Sequence, residues 1–332
     1  MKIHIKLPYI ITAVLSLACP ILAGHLIGHV QLGMAAALGG LALINEVYDN
    51  SGFKQTFVNL GYAIIFSNAA FVVGMAIAGT TLFSLLMLPV VILAVSTIGE
   101  INRRLIKNAS RFIVFLIIGY HFEVTGKVLN ILAFNFLVGT LWTSIVLLII
   151  KILFKDKDNP PTDNKKYTPQ QYLNRWIKSL SHVKGWQFPL RITLCIVIAQ
   201  IVRFFVPGHH SYWILLTLAL VTQHNMDNQV KRIVNRGLGT LLGVILSFGL
   251  IYYTMPIYVL LIVIGVLAAL RVLFRETNYL LYAAIMTPLV IILLDFGNLS
   301  SISLLMDRLI ATLAGCGISF VFGFWVWRKA EH

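Results

Sequence analysis

The sequence predicts an all-α membrane protein with about twelve transmembrane helices, built as two parallel six-helix repeats that a short cytoplasmic linker joins. Of its 332 residues, 58% are hydrophobic and only 11% are charged, which is more apolar side chain than a soluble core of this size could bury. Apolar runs of about 20 residues, the length that crosses the hydrocarbon of a bilayer, recur along nearly the whole chain. Polar landmarks of the first half also return in the second half, which indicates a duplication.

The apolar runs predict the positions of the helices. They lie at residues 8–28, 30–45, 56–78, 80–98, 110–122, 128–154, 187–207, 210–223, 232–253, 256–273, 278–295 and 302–327. The runs at 30–45 and 210–223 are shorter than a straightforward span, and each follows a Gly-His pair. Because short segments at equivalent positions of two repeats are typical of transporter binding sites, these two runs are the candidates for one.

The duplication also predicts the domain boundaries. Gly28-His29 returns as Gly208-His209, and six helices per copy is an even number, so both copies have the same orientation in the membrane. The predicted divisions are a first repeat at residues 1–154, a linker at residues 155–186 and a second repeat at residues 187–332. The second part of the linker has one apolar and one basic face, which favours an amphipathic helix at the inner lipid surface.

The positive charge is distributed as in a membrane protein. Lys and Arg total 26 against 12 Asp and Glu, a formal charge of +14, which in a soluble protein would suggest nucleic-acid binding. Here the basic residues fall at every second junction between the predicted helices, and the alternate junctions carry almost none. The positive-inside rule therefore predicts that both termini are cytoplasmic, and the partners are membrane lipids rather than nucleic acid.

The motifs of common enzymes are missing from the sequence. Gly126-Lys127 is not a phosphate-binding loop, because His121 stands where the first glycine is needed and Val128 follows the lysine. The three cysteines are widely spaced in apolar runs, so neither a disulfide framework nor a metal site is indicated. We therefore predict no enzyme, no cofactor and no metal.

Two stretches carry a resemblance to a known family. A Tyr-Trp segment, Tyr212-Trp213, precedes a helix that reads Arg236-Gly237-Leu238-Gly239-Thr240-Leu241-Leu242-Gly243. This pattern resembles the fusaric acid resistance and aromatic acid exporter superfamily. Residues 306–315 also resemble the closing helix of that superfamily. The resemblance implies a multi-pass protein of the bacterial inner membrane that exports aromatic or other lipophilic carboxylic acids.

Five residues are predicted to bind the substrate. Trp213, Thr217 and His224 have the helical spacing of one face, and would offer an aromatic plate, a hydroxyl and an imidazole. Arg236 and Thr240 share a stripe on the next helix. For Trp213 the alternative is a place in the aromatic belt at the membrane surface, and for Arg236 it is a snorkelling contact with lipid phosphate.

Three titratable residues are predicted to couple transport to protons. Asp307 is an ionisable residue inside a predicted span, and His29 and His209 occupy equivalent positions of the two repeats. Alternatively, Asp307 is a structural partner of an arginine, and the histidines are exposed and uncoupled.

Two other functions stay open from the sequence. One is a passive organic-anion channel, as the related plant malate channels suggest, and the other is a membrane scaffold that transports nothing. A homo-oligomer is also left open, because nothing in the sequence fixes the number of subunits.

Overall fold

The computed structural model describes residues 7–44, 46, 52–79, 82–122, 124, 126–154, 168–205, 212–252, 256–294 and 302–328. Within these residues the chain is helical and has no strands. The helices are α1 (Leu7–Leu26), α2 (Val30–Leu43), α3 (Phe53–Ala76), α4 (Leu82–Gly99), α5 (Arg103–His121), α6 (Gly126–Leu153), α7 (Pro169–Leu180), α8 (Val183–Phe205), α9 (Tyr212–Val221), α10 (Gln229–Tyr252), α11 (Ile257–Phe274), α12 (Tyr279–Leu294) and α13 (Ile302–Phe320). A π-helical turn, Val321–Trp325, continues α13 to a last helical turn at Val326–Arg328.

Each predicted segment overlaps one of these helices, but twelve membrane spans are not confirmed. Seven helices in the described part of the chain are long and apolar enough to cross a bilayer, and α2, α9 and α12 are shorter apolar helices. The helices α5 and α10 fall outside both groups, and both carry basic residues in their first turns. The class of a multi-pass helical membrane protein is confirmed, while the exact number of spans stays a prediction.

The helices form two compact units, and each unit takes helices from both halves of the chain. The first unit is Met1–Asn68, Gly126–Asn164 and Gly239–Ile302, and the second is Ala69–Thr125, Lys165–Leu238 and Ser303–His332. The units therefore do not coincide with the predicted sequence halves, because α11 and α12 pack in the first unit and α4 and α5 in the second. The predicted duplication of six helices, with its boundaries at residues 154 and 187, stays a prediction.

In the first unit, α2 is an interior helix held between α1 and α6 by small residues. Its residues from Gly33 to Leu43 are all buried. A Cβ atom on Gly33 would lie 2.6 Å from the carbonyl oxygen of Pro20 on α1, and one on Gly139 of α6 would lie 1.7 Å from the carbonyl oxygen of Ala36. Glycine thus lets the backbones touch.

In the second unit, α4 packs on α5 and α8, and the short helix α9 packs on α5 and α8. The amphipathic linker helix is present as α7, which begins with a capping box between Thr168 and Gln171. It packs against α8, where the indole nitrogen of Trp186 donates to the carbonyl oxygen of Leu180 at 2.8 Å. This unit contains most of the residues that the sequence predicts to be functional.

Candidate functional site

The candidate site is built around α9 of the second unit. This helix has ten residues, about 15 Å at the usual rise, against the roughly 30 Å of a bilayer core. Its residues from Tyr212 to Leu218 are all buried. A helix too short to span and apolar on every side has to be enclosed by other helices, and its few polar side chains then face protein.

A fully buried polar contact joins α9 and α13. The guanidinium carbon (Cζ) of Arg308 lies 3.6 Å from the ring centroid of Trp213, and both side chains are 0% exposed. Arg308 belongs to the buried face of α13, whereas Asp307, one residue earlier and about 100° around the helix, is half-buried. The structure therefore places the cation, and not the acid, at the centre of the candidate site.

Hydroxyl groups flank this pair. Thr217, one turn after Trp213, and Thr312, one turn after Arg308, are both 0% exposed. A Cβ atom on Gly315 would lie 2.9 Å from the Cβ atom of Thr217, so α9 and α13 meet closely here. Neither hydroxyl, nor the indole nitrogen of Trp213, has a hydrogen-bond partner within the described residues. Buried donors of this kind normally bind something, so these three can serve a ligand.

Arg236 and Arg232, one turn apart on α10, have different surroundings. Arg232 donates to the carbonyl oxygen of Leu220 at 2.9 Å and to the Oε1 atom of Gln223 at 3.1 Å. Arg236 is 3% exposed, and its Nε atom has no hydrogen-bond partner among the described residues. Arg232 therefore binds the C-terminal end of α9, whereas the Nε atom of Arg236 can still donate a hydrogen bond to a ligand.

Thr240 lies one turn further along α10, in the first unit. It is 0% exposed, and its hydroxyl has no partner in the described part of the chain. Its predicted role in binding stays a prediction.

His224 does not lie on the face that the sequence predicts, because α9 ends at Val221 and the chain then forms a turn. The Nε2 atom of His224 lies 3.1 Å from the Oε2 atom of Glu100, just beyond the end of α4, and its ring packs 5.4 Å from that of Phe188. The hydrogen bond with Glu100 raises the pKa of His224, against the opposing effect of burial. The predicted position on the helix was wrong because apolar periodicity does not mark where this helix ends, and the predicted role of His224 in binding stays a prediction.

The ion pair between His224 and Glu100 predicts a pH dependence of stability. Because the pKa of His224 is raised in the folded state, its contribution is complete below about pH 6.5, the unfolded value, and is lost as the pH rises through the folded value. The pair is partly exposed, so we expect about 1 kcal/mol or less. The unfolding temperature should fall by a few degrees more in wild type than in His224→Asn between about pH 6 and pH 8.

The same measurement on His29→Asn is the control, because His29 is exposed at the start of α2. Equal pH slopes in wild type and His224→Asn would show that the contact with Glu100 carries no stability.

A buried network that the sequence did not reveal joins α8 to the turn after α9 and to the π-helical turn after α13. Arg191 of α8 is 0% exposed. It donates from Nε to the carbonyl oxygen of Gly323 at 2.8 Å and from Nη2 to that of Gln223 at 3.2 Å, and it also contacts Gln229. Gln229 in turn donates to the hydroxyl of Ser319 at 3.1 Å. An arginine inside an apolar helix was the one feature of the sequence that could have indicated this network. Its partners are distant in the sequence and could not be predicted. The network fixes the π-helical turn of α13.

The three residues predicted to couple protons are not brought together. Asp307 is half-buried on α13, and His29 is exposed at the start of α2 in the first unit. His209 lies outside the described residues. Among the described residues, no three His, Cys, Asp or Glu side chains are grouped as a metal site would need.

The residues around α9 fall in the part of the chain that matches a known family. Residues 194–322 match the family described as fusaric acid resistance protein-like, which confirms the resemblance drawn from the sequence. This segment contains Trp213, Thr217, Arg236 and Arg308.

Three bacterial relatives are similar over part of this chain. The inner membrane protein YccS of Escherichia coli is 27% identical over 165 residues, which are 48% of this chain and 23% of that protein. An uncharacterized protein of Haemophilus influenzae is 30% identical over 141 residues, 42% of this chain and 19% of that protein. The uncharacterized protein YhfK of E. coli is 28% identical over 139 residues, 42% and 20% of the two chains. The similarity thus spans about a fifth of each relative's length. No solved structure matches the chain.

Proposed function

We propose that this chain is an inner-membrane transporter that exports small organic anions, chiefly aromatic or lipophilic carboxylic acids. The observation that carries the proposal is the fully buried Arg308, stacked at 3.6 Å on Trp213, inside the segment that resembles the fusaric acid resistance family. A cation enclosed in apolar helices is costly and marks the path of a substrate or ion more often than a surface arginine does. The inner membrane follows from the similarity to YccS.

The chemistry of the pair suits a carboxylate attached to an apolar body. A guanidinium that rests its face on an indole has its N–H donors at its edge, and the fork of these donors matches the two oxygens of a carboxylate. The hydroxyls of Thr217 and Thr312 and the indole N–H of Trp213 supply further donors. The apolar side chains of α9 surround these groups and favour a lipophilic substrate.

The site is closed in this structure, because Arg308, Trp213, Thr217 and Thr312 are each 0% exposed. A transporter with alternating access requires such a closed state between its two open ones. The close contact of α9 and α13 at Gly315 is where we expect the site to open.

The packing of each unit supports the proposal that the two halves are repeats. In the first unit α1 packs on α11, and in the second unit α8 packs on α4. If α1 to α6 correspond to α8 to α13, the contact of α1 with α11 is equivalent to the contact of α8 with α4. The contact of α4 with α5 is then equivalent to that of α11 with α12. We propose that the repeats have exchanged their fourth and fifth helices, while each unit keeps the short second helix of its own repeat, α2 or α9.

We also propose that transport is coupled to protons and that Asp307, beside Arg308, is the coupling residue. The test is uptake of labelled benzoate into proteoliposomes with an imposed pH gradient. Neutral benzoic acid crosses the bilayer unaided and follows the pH gradient, so uptake is counted above that of protein-free liposomes. Wild type should exceed this background, and Asp307→Asn should lose the driven excess but keep exchange. Flux in the downhill direction only would indicate a channel, and no flux of organic anions would indicate a scaffold and end the proposal.

The two arginines of α10 give a further prediction. Arg236→Ala should slow benzoate transport by roughly tenfold or more, because a charge-assisted hydrogen bond is worth about 1.5 to 3 kcal/mol. Arg232→Ala should leave transport per folded molecule much closer to wild type, since Arg232 is committed to Leu220 and Gln223. Initial rates at matched amounts of monodisperse protein decide the comparison, and equal rates would remove Arg236 from the site.

A further inference from the structure

Four planar groups of the second unit form a continuous stack. The ring centroids of His121 and Tyr212 are 3.7 Å apart at an interplanar angle of 26°, and those of Tyr212 and Trp213 are 4.6 Å apart at 29°. The guanidinium of Arg308 covers the other end at 3.6 Å. The stack thus joins the last residue of α5 to the first two residues of α9 and to α13.

Exposure decreases along this stack. His121 is half-buried, Tyr212 is 2% exposed, and Trp213 and Arg308 are 0% exposed. His121 is therefore the member that surrounding molecules reach, while Trp213 and Arg308 are fully enclosed. A ligand that travels along the stack to the guanidinium meets the rings of His121 and Tyr212 first.

We infer that His121 and Tyr212 form an access subsite, which takes the ring of an aromatic anion as it passes between the protein surface and Arg308. This inference rests on the proposed function and adds two residues that the sequence analysis did not predict to bind the substrate. The rings of His121 and Tyr212 are held in contact by stacking, and an incoming planar ring can replace either partner because offset stacking does not depend on the identity of the ring. A saturated ring of the same size cannot stack in this way.

Two further rings lie near His121 but are not part of the stack. Phe122 meets His121 at 5.1 Å and 54°, and Phe71 meets Phe122 at 5.8 Å and 67°. These tilted contacts offer no parallel face to a ligand. Phe122 is therefore a neighbouring aromatic residue on which a matched control can be made.

The test compares two acids of equal charge and similar size, benzoate and cyclohexanecarboxylate, in proteoliposomes that contain the full chain. Wild type should transport benzoate faster. His121→Ala and Tyr212→Leu should lower the ratio of the benzoate rate to the cyclohexanecarboxylate rate by about threefold to tenfold, the usual range for losing one aromatic contact. His121→Phe should keep the ratio because it keeps the stack, and Phe122→Leu should leave it unchanged.

Each outcome separates this inference from the function on which it rests. If Arg308→Gln loses transport of both acids while His121→Ala and Tyr212→Leu keep the wild-type ratio, the access subsite is wrong and the transporter stands. A ratio that falls in His121→Phe as much as in His121→Ala also overturns the inference, because stacking would not be the cause. If wild type transports neither acid, the proposed function fails and the subsite fails with it. Size-exclusion profiles of each variant show that the rates refer to folded protein.

Discussion

Arg308→Gln is expected to slow benzoate transport by about 10- to 100-fold, the largest effect of any side chain in the candidate site. The substitution removes the charged hydrogen bonds to the carboxylate, worth about 1.5 to 3 kcal/mol. The contact of the guanidinium with Trp213 is made with or without substrate, so its loss lowers the stability of the fold rather than the rate. A barrier increase of about 1.4 kcal/mol corresponds to a tenfold change in rate. Arg308→Lys should be intermediate, because an ammonium keeps the charge but cannot stack or bind both oxygens at once. Initial uptake rates in proteoliposomes measure each variant.

The first unit offers a matched control for that measurement. Arg271 is 2% exposed, its Nε atom lies 3.1 Å from the sulfur of Met286, and its Cζ atom lies 5.8 Å from the ring centroid of Tyr282. Arg271→Gln therefore removes an equally buried arginine from an aromatic contact that lies outside the candidate site. We expect a lower unfolding temperature but near-normal transport per folded molecule. If both variants lose transport equally, Arg308 supports the fold and does not bind the substrate.

The sequence directed attention to Asp307, one residue away from the group that the structure buries. Acids inside apolar helices stand out in a sequence, while an arginine next to an acid suggests a simple pair. The helical face of α13 was nevertheless readable, since Leu304, Arg308, Ala311 and Gly315 are spaced by three or four residues. Its partner Trp213 is distant in the sequence, and no local pattern brings the two together.

The positions of the helices could be predicted because each one is a continuous apolar run. Their grouping could not, because the choice of neighbours in lipid depends on close backbone contacts at small residues rather than on hydrophobicity. The predicted halves, 1–154 and 187–332, therefore say nothing about α4 packing on α8 or α1 on α11. The same limit applies to α9. The sequence indicated that this helix is short, but not that it ends before His224.

Gly139→Ala is expected to have the largest effect on folding. The new Cβ atom would lie 1.7 Å from the carbonyl oxygen of Ala36 on α2, and a backbone atom cannot rotate away as a side chain can, so α6 and α2 would have to separate. We expect a loss of about 3 kcal/mol or more, a large part of a typical total stability of about 5 to 15 kcal/mol. Gly61→Ala is the control, because Gly61 lies inside α3 with no atom within 4 Å of the new methyl group. Because alanine has a greater helix propensity than glycine, Gly61→Ala should leave the stability unchanged or raise it by up to about 1 kcal/mol. The yield of monodisperse protein and its unfolding temperature give the result, and a Gly139→Ala protein as stable as Gly61→Ala would mean that α2 and α6 are not in backbone contact.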